Sequence, residues 1–138
     1  MQIRKMTIDD YDQAYALWLN TPGMGLDGND DSKDNIQKYL CRNPNTCFIA
    51  ENDGKIIGAI LSGHDGRRGY INHTFVIASE RKKGIGTALL NKVLDAFKTE
   101  GISKAALFVL ADNDNGNDFW EKRGFYIYNG INYRTKPI

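Results

Sequence analysis

The sequence predicts an α+β fold: a mixed, mostly antiparallel central sheet flanked by helices, in the order β-α-α-β-β-β-α-β-α-β-β. Three observations carry that expectation. Short strand patterns in the first half are joined by tight connections, of which Asn52-Asp53-Gly54 contains the Asp-Gly pair favoured in antiparallel hairpins. An amphipathic helical pattern over residues 84–99 is followed by a near-continuous apolar run over 105–110. Together they form a right-handed β-α-β crossover onto a strand buried on both faces beside a parallel neighbour. No internal repeat, low-complexity tract or linker breaks the chain, so residues 1–138 are expected to form a single domain.

Each element has a local cause. A short strand over 2–6 leads to Thr7-Ile8-Asp9-Asp10, where Thr7 is placed as an N-cap with Asp10 three residues on. Tyr11, Ala14, Tyr15 and Trp18 then recur at helical spacing, and Pro22-Gly23-Met24-Gly25 stops the helix. After a polar loop at 27–31, a second helix carries Ile36, Tyr39 and Leu40 on one side, with Pro44 beyond its end. Strands are expected over 46–51, 55–63 and 70–78, the last fed by the tight connection at 64–69. In the following helix Ile85, Leu89, Val93 and Phe97 share one face, Lys92, Asp95 and Lys98 point away from it, and Gly101 closes it. A short helix over 113–123 ends at Gly124. Two final strands, 125–128 and 131–136, flank Asn129-Gly130, a type I′ hairpin dipeptide.

Composition narrows the function. With 138 residues, 41% hydrophobic and 25% charged, the chain has enough apolar material for a real core. A formal net charge of +1 argues against a dedicated nucleic-acid binder. No apolar run approaches the ~20 residues of a membrane span, and the N-terminus lacks a signal-peptide core. The two cysteines, Cys41 and Cys47, make neither a disulfide framework nor a zinc site and read as reduced thiols. A cytoplasmic protein, monomer or homodimer, with no metal and no membrane or nucleic-acid partner, is the expectation. Without secretion, the sequon at Asn72-His73-Thr74 carries no meaning.

The most informative segment is Arg81-Lys82-Lys83-Gly84-Ile85-Gly86-Thr87, where strand, turn and helix meet. A helix N-terminus offers unpaired N–H groups and partial positive charge, so it binds anions. Gly84 and Gly86 remove the Cβ atoms that would hold a phosphate off the backbone, and the three basic residues add charge. A pyrophosphate matches such a cradle. A P-loop needs two glycines five apart followed by Lys and Ser/Thr, whereas here one residue separates them and Thr87-Ala88 follow. A dinucleotide fingerprint needs a third glycine, and Leu89 occupies that place.

What remains, Arg81-x-x-Gly84-x-Gly86 followed by Thr87-Ala88-Leu89-Leu90, resembles the acyl-CoA-binding motif of the GNAT superfamily of N-acetyltransferases. The block from Asn113 through Phe119-Trp120-Glu121-Lys122-Arg123-Gly124-Phe125 is similar to that family's later motif. The element order fits along nearly the whole chain. The resemblance implies acetyl-CoA as co-substrate, its pyrophosphate on Arg81 to Thr87 and its pantetheine arm between two splayed parallel strands. Phe75, Val76 and Ile77 would offer backbone to that arm, with Asn113, Phe119 and Trp120 also at the cofactor. It further implies direct attack on the thioester by an amine of a small molecule, peptide or protein.

The strand at 70–78 supplies the remaining candidates. By alternation, Ile71, His73, Phe75 and Ile77 share one face and Tyr70, Asn72, Thr74 and Val76 the other. The polar second face suits an acceptor cleft, which puts Tyr70 and Asn72 there. A histidine's near-neutral pKa suits a general base, but the apolar neighbours of His73 favour a core histidine with a satisfied hydrogen bond. The acidic loop holding Asp27, Asp30 and Asp31 suits a cationic amine. Trp120 departs from the family, many of whose members carry a tyrosine there that protonates the leaving thiolate. An indole N–H is a donor and no acid at neutral pH. That departure keeps open a non-catalytic acyl-CoA-binding sensor as the alternative.

Overall fold

β1 (Gln2–Lys5) opens a five-stranded sheet in the computed structural model, which describes residues 1–138. A 3-10 turn over Ile8–Asp10 runs into α1 (Tyr11–Leu19), and α2 (Lys33–Arg42) follows the polar loop. β2 (Phe48–Asn52), β3 (Lys55–His64) and β4 (Gly69–Val76) form an antiparallel meander with β1. α3 (Ile85–Thr99) carries the chain across to β5 (Ala105–Leu107), which runs parallel to β4. The strand order is β1-β2-β3-β4-β5, the α+β, mostly antiparallel arrangement read from the sequence. A last helix, α4, spans Asp114–Lys122. No helix is long and apolar enough to cross a membrane.

Local chemistry fixes the ends of these elements. The Thr7 N–H donates to Asp10 Oδ2 over 2.9 Å, and the Arg4 guanidinium grips both oxygens of the same carboxylate at 2.7 and 2.9 Å, pinning the entry to α1 onto β1. Ser32 Oγ accepts from Asn35 N–H at the start of α2. Asp53 and Gly54 take φ of 49° and 77°, as the β2–β3 turn requires.

The sheet is buried on both faces. On one, Tyr11, Ala14 and Trp18 of α1 and Ile36 and Leu40 of α2 pack with Cys47, Ile49, Ala59, Leu61 and Phe75. On the other, α3 buries Ile85, Leu89, Leu90, Val93 and Phe97. Two glycines let α3 approach the strands. A Cβ on Gly58 would lie 3.2 Å from Leu89 Cδ1, and one on Gly69 only 2.5 Å from the Phe97 ring.

Contacts divide the chain into two compact units, Met1–Phe108 and Val109–Ile138. The second is built on α4. Asn113 caps it by accepting the Gly116 N–H at 3.0 Å, and Trp120, buried, is flanked edge-on by Phe119 and Phe125. The strands expected over 125–128 and 131–136 are not formed. Tyr126, Ile127, Tyr128, Ile131 and Tyr133 are 65–71% exposed. A two-stranded hairpin is marginal without a third strand or a covering layer, so the Asn129-Gly130 turn signal alone does not make one.

β5 is also shorter than its apolar run. It ends at Leu107, with Phe108 and Leu110 exposed rather than buried on both faces. Its cause lies in β4. Ile60 faces Thr74 while Ser62 faces Ile71, so β4 carries one residue more than β3 over this stretch, a bulge at Asn72–His73. A bulge bends its strand and strengthens the local twist, and here it follows directly on Ile71↔Leu107, the last pair that β4 makes with β5.

Candidate functional site

Beyond Ile71 the two parallel strands part. Ile77 N–H bonds the carbonyl of Ile57 at 2.9 Å, and antiparallel alternation then directs the backbone groups of Ile77 and Phe75 toward β3. The N–H and C=O of Thr74 and Val76 point to the opposite edge, where β5 has ended. Of the three residues expected to offer backbone, Val76 turns its N–H and C=O away from β3, while Phe75 and Ile77 are engaged with it. Thr74 joins Val76 at the open edge, a refinement that follows from ladder parity and not from residue type.

The turn after β4 adjoins this edge. A 3-10 turn over Ala78–Glu80 leads to Arg81, whose Nε donates to the Val76 carbonyl at 2.9 Å. Lys82 sits at φ 62° and Gly84 at φ 82°, a left-handed conformation that only glycine adopts without strain. From Gly84 the chain enters α3, whose first intrahelical bond runs from Ala88 N–H to Gly84 C=O. The amides of Gly84, Ile85 and Gly86 precede that bond, so they project from the helix end. Ile85 buries its side chain and anchors the turn, Gly84 is exposed, and no acidic residue lies in the first turn of α3. Thr87 completes that first turn. Lys83 is paired with Glu80 at 3.0 Å. The residues from Arg81 to Gly86 thus bring three basic side chains and the unbonded amides of a helix end together beside the edge of β4.

The bulge overturns the strict alternation expected along β4. Gly69 faces Phe97 of α3, and Val76 lies beside Gly58 under Leu89, so Ile71, Thr74 and Val76 share the α3 face. Asn72 Nδ2 donates to the Tyr39 hydroxyl of α2 at 2.8 Å, and His73 meets Asp31 and Trp18. Tyr70, opposite Gly63, joins them on the α1–α2 face with Phe75. Tyr70, Asn72 and His73 are therefore brought to one side, which periodicity had split.

His73 has the satisfied hydrogen bond expected of a core histidine. It is partly buried and its Nε2 lies 2.6 Å from Asp31 Oδ1, while its ring stands edge-on to Trp18 with centroids 4.8 Å apart. Asp31 was legible only as part of an acidic loop; nothing in the sequence marks a partner 42 positions away. Its Oδ2 accepts the Asp27 N–H at 2.8 Å, and its carbonyl accepts the Tyr11 hydroxyl at 2.6 Å. Burial alone would push the Asp31 carboxyl up, but the bonds from His73 and Asp27 outweigh it and hold the pKa below its ordinary value. Trp18 is 1% exposed and its Nε1 has no partner, an orphaned donor next to this pair. Burial pushes the nearby Cys47 thiol up to about 12, which keeps it protonated and unreactive.

In the second unit, Asn113 acts as the helix cap, and Phe119 lies under the Arg123 guanidinium at 3.7 Å. Trp120 is 8% exposed between its two aromatic neighbours. Within this unit each of the three has a structural role of its own.

Comparison with known proteins bears on what these features serve. Residues 11–125 match the Acetyltransferase (GNAT) family. The chain is 29% identical over 131 residues to an acetyltransferase of Sodalis glossinidius, covering 95% of this chain and 91% of the relative. It is 31% identical over 118 residues to an acetyltransferase of Photorhabdus laumondii, covering 83% of this chain and 78% of the relative. Among solved structures, the PaiA N-acetyltransferase of Thermoplasma acidophilum in complex with coenzyme A shares the fold at a TM-score of 0.81 and 21% identity, over 94% of this chain and 92% of that one. A match running from the first turn of α1 to the aromatic cluster behind α4, on the fold of a solved acetyltransferase, makes this chain a member of the GNAT acetyltransferase family.

Proposed function

We propose that the protein transfers an acetyl group from acetyl-CoA to a primary amine of a small molecule, peptide or protein, by direct attack of the amine on the thioester. The observation that carries this reading is the junction of two features: the glycine-opened N-terminus of α3 and the edge of β4 at Thr74 and Val76, which no strand pairs and where Arg81 takes the Val76 carbonyl. The first suits a pyrophosphate, the second the amides of a pantetheine arm. The coenzyme A held by the Thermoplasma acidophilum relative, on the same fold, supports the choice of donor.

In the reaction the amine nitrogen bonds to the thioester carbon and the carbon–sulfur bond breaks. The amine gives up a proton and the departing thiolate takes one. A Lys-type amine has an ordinary pKa of about 10.4, so it must lose a proton before attack. The acceptor is assigned to the α1–α2 side, where Tyr70, Asn72 and His73 gather beside the acidic loop that would attract a cation. No tyrosine stands at position 120, so water supplies the thiolate's proton in this scheme. A cytoplasmic location, where acetyl-CoA is available and Cys41 stays reduced, suits the reaction.

Release of free thiol from acetyl-CoA is the test, measured with spermidine, kanamycin and peptides bearing a free N-terminus or a lysine. Amine-dependent release is expected. Binding of acetyl-CoA without release on any amine would replace this reading with that of an acyl-CoA sensor.

A further inference from the structure

We infer that Asp31 is a positioning residue that fixes the tautomer of His73, and that His73 Nδ1 takes the proton from the attacking amine. The inference rests on the acetyl-transfer reading above and names the base that reading leaves open.

Geometry assigns the tautomer. Asp31 is held from three sides: by His73 on Oδ1, by the Asp27 amide on Oδ2, and by the Tyr11 hydroxyl on its carbonyl. An ionised carboxylate only accepts, so a neutral His73 must carry its proton on Nε2 and donate it to Asp31. The lone pair is then on Nδ1. That atom makes no hydrogen bond within the protein, and the His73 side chain is 15% exposed. An oriented imidazole with a carboxylate behind it and an accessible nitrogen in front is the arrangement of a histidine base, because the carboxylate stabilises the imidazolium as it forms.

Placement points to the same role. His73 lies in the β4 bulge, two residues past the last pair with β5, where the strands open. It is on the α1–α2 face with Asn72, against the loop assigned to the acceptor. The proton leaves the amine nitrogen for Nδ1 while Nε2–H stays on Asp31, and the imidazolium later returns it to water. The ionisable groups around the ring are few. Tyr11 of α1 bonds the Asp31 carbonyl and Tyr39 of α2 bonds Asn72, burial pushes both phenols and the Cys47 thiol up, and β3 presents only Ile60, Leu61 and Ser62 opposite. Asp31 is the charge that acts on His73.

The test compares the wild type with His73→Gln and Asp31→Ala. Acetyl-CoA is the donor, and the acceptor is whichever of spermidine, kanamycin or the peptides reacts fastest, from about pH 6 to about pH 9. His73→Gln is expected to lower kcat about 100-fold and Asp31→Ala about tenfold, with KM for acetyl-CoA unchanged. Without the carboxylate the imidazolium is less stable, so the ascending limb of the pH profile moves to lower pH in Asp31→Ala. A purely structural tie would lower Tm and leave that limb in place, and such a result overturns the inference. So would losses under about threefold in both variants. In the folded wild type, ring 15N shifts should report the Nε2–H tautomer; an Nδ1–H ring overturns the inference even if the variants fail to fold. Absence of thiol release by the wild type on every amine would take down the acetyl-transfer reading itself, a separate outcome.

Discussion

Arg81 donates its Nε–H to the carbonyl of Val76 across 2.9 Å, so the residue that opens the basic turn also caps the unpaired edge of β4. A guanidinium has five donors, and one bond to a carbonyl leaves the others for an anion. The contact therefore holds the cation between the edge of β4 and the N-terminal end of α3.

Arg81→Ala is expected to weaken coenzyme A binding about tenfold, the loss of roughly 1.4 kcal/mol that one charge-assisted bond at a partly solvated site supplies. Titration calorimetry at two salt concentrations checks this. The difference between variant and wild type should shrink at high salt, because the lost interaction is electrostatic.

Packing of α3 on β4 depends on Gly69. A methyl group there would meet the Phe97 ring at 2.5 Å, and the ring is buried, so the ring or the helix must shift. Gly69→Ala should lower stability by about 1–3 kcal/mol, and Gly69→Ala with Phe97→Leu should recover part of the loss. Denaturant midpoints of the two variants decide it.

The Arg4–Asp10 pair gives stability a pH signature. Burial pushes the Asp10 carboxyl up, but the bonds from Arg4 and the Thr7 amide more than reverse this and hold it below its ordinary value. A folded-state pKa below the unfolded one contributes stability above about pH 4 that is lost as pH falls through the folded value. Asp31 acts in the same direction. Asp10→Asn should lower Tm at neutral pH and flatten the acid limb of a Tm-against-pH profile.

Much of this was legible in the sequence, and the misses have physical causes. Helical periodicity located Trp18, Leu89, Val93 and Phe97 in the core, and the glycine pattern located the α3 turn, because both signals are local. The β4 bulge was invisible. One inserted residue changes no composition, yet it moved Ile71 to the α3 face and put His73 beside Asn72. The pairing of Asp31 with His73 has no sequence signal for the complementary reason: tertiary packing supplies the partner. Asn129-Gly130 carried a correct turn signal without a third strand to make a hairpin stable.

Trp120 separates packing from proton transfer. Trp120→Phe keeps an aromatic ring between Phe119 and Phe125 and removes the Nε1–H. If the ring only packs, transfer should fall by less than about threefold, far short of the 100-fold or more expected for loss of a general acid. Steady-state kcat with the fastest amine measures this.

Coenzyme A affinity of Gly86→Glu tests the central claim most directly. A carboxylate in the first turn of α3 is favourable to the helix dipole, so the variant should stay folded, with an unchanged circular dichroism spectrum. It would also stand where the pyrophosphate is assigned, and like-charge repulsion should weaken binding about 100-fold or more. Loss of binding in a folded protein is the predicted result; wild-type affinity in that same folded variant would contradict the placement of the cofactor at α3.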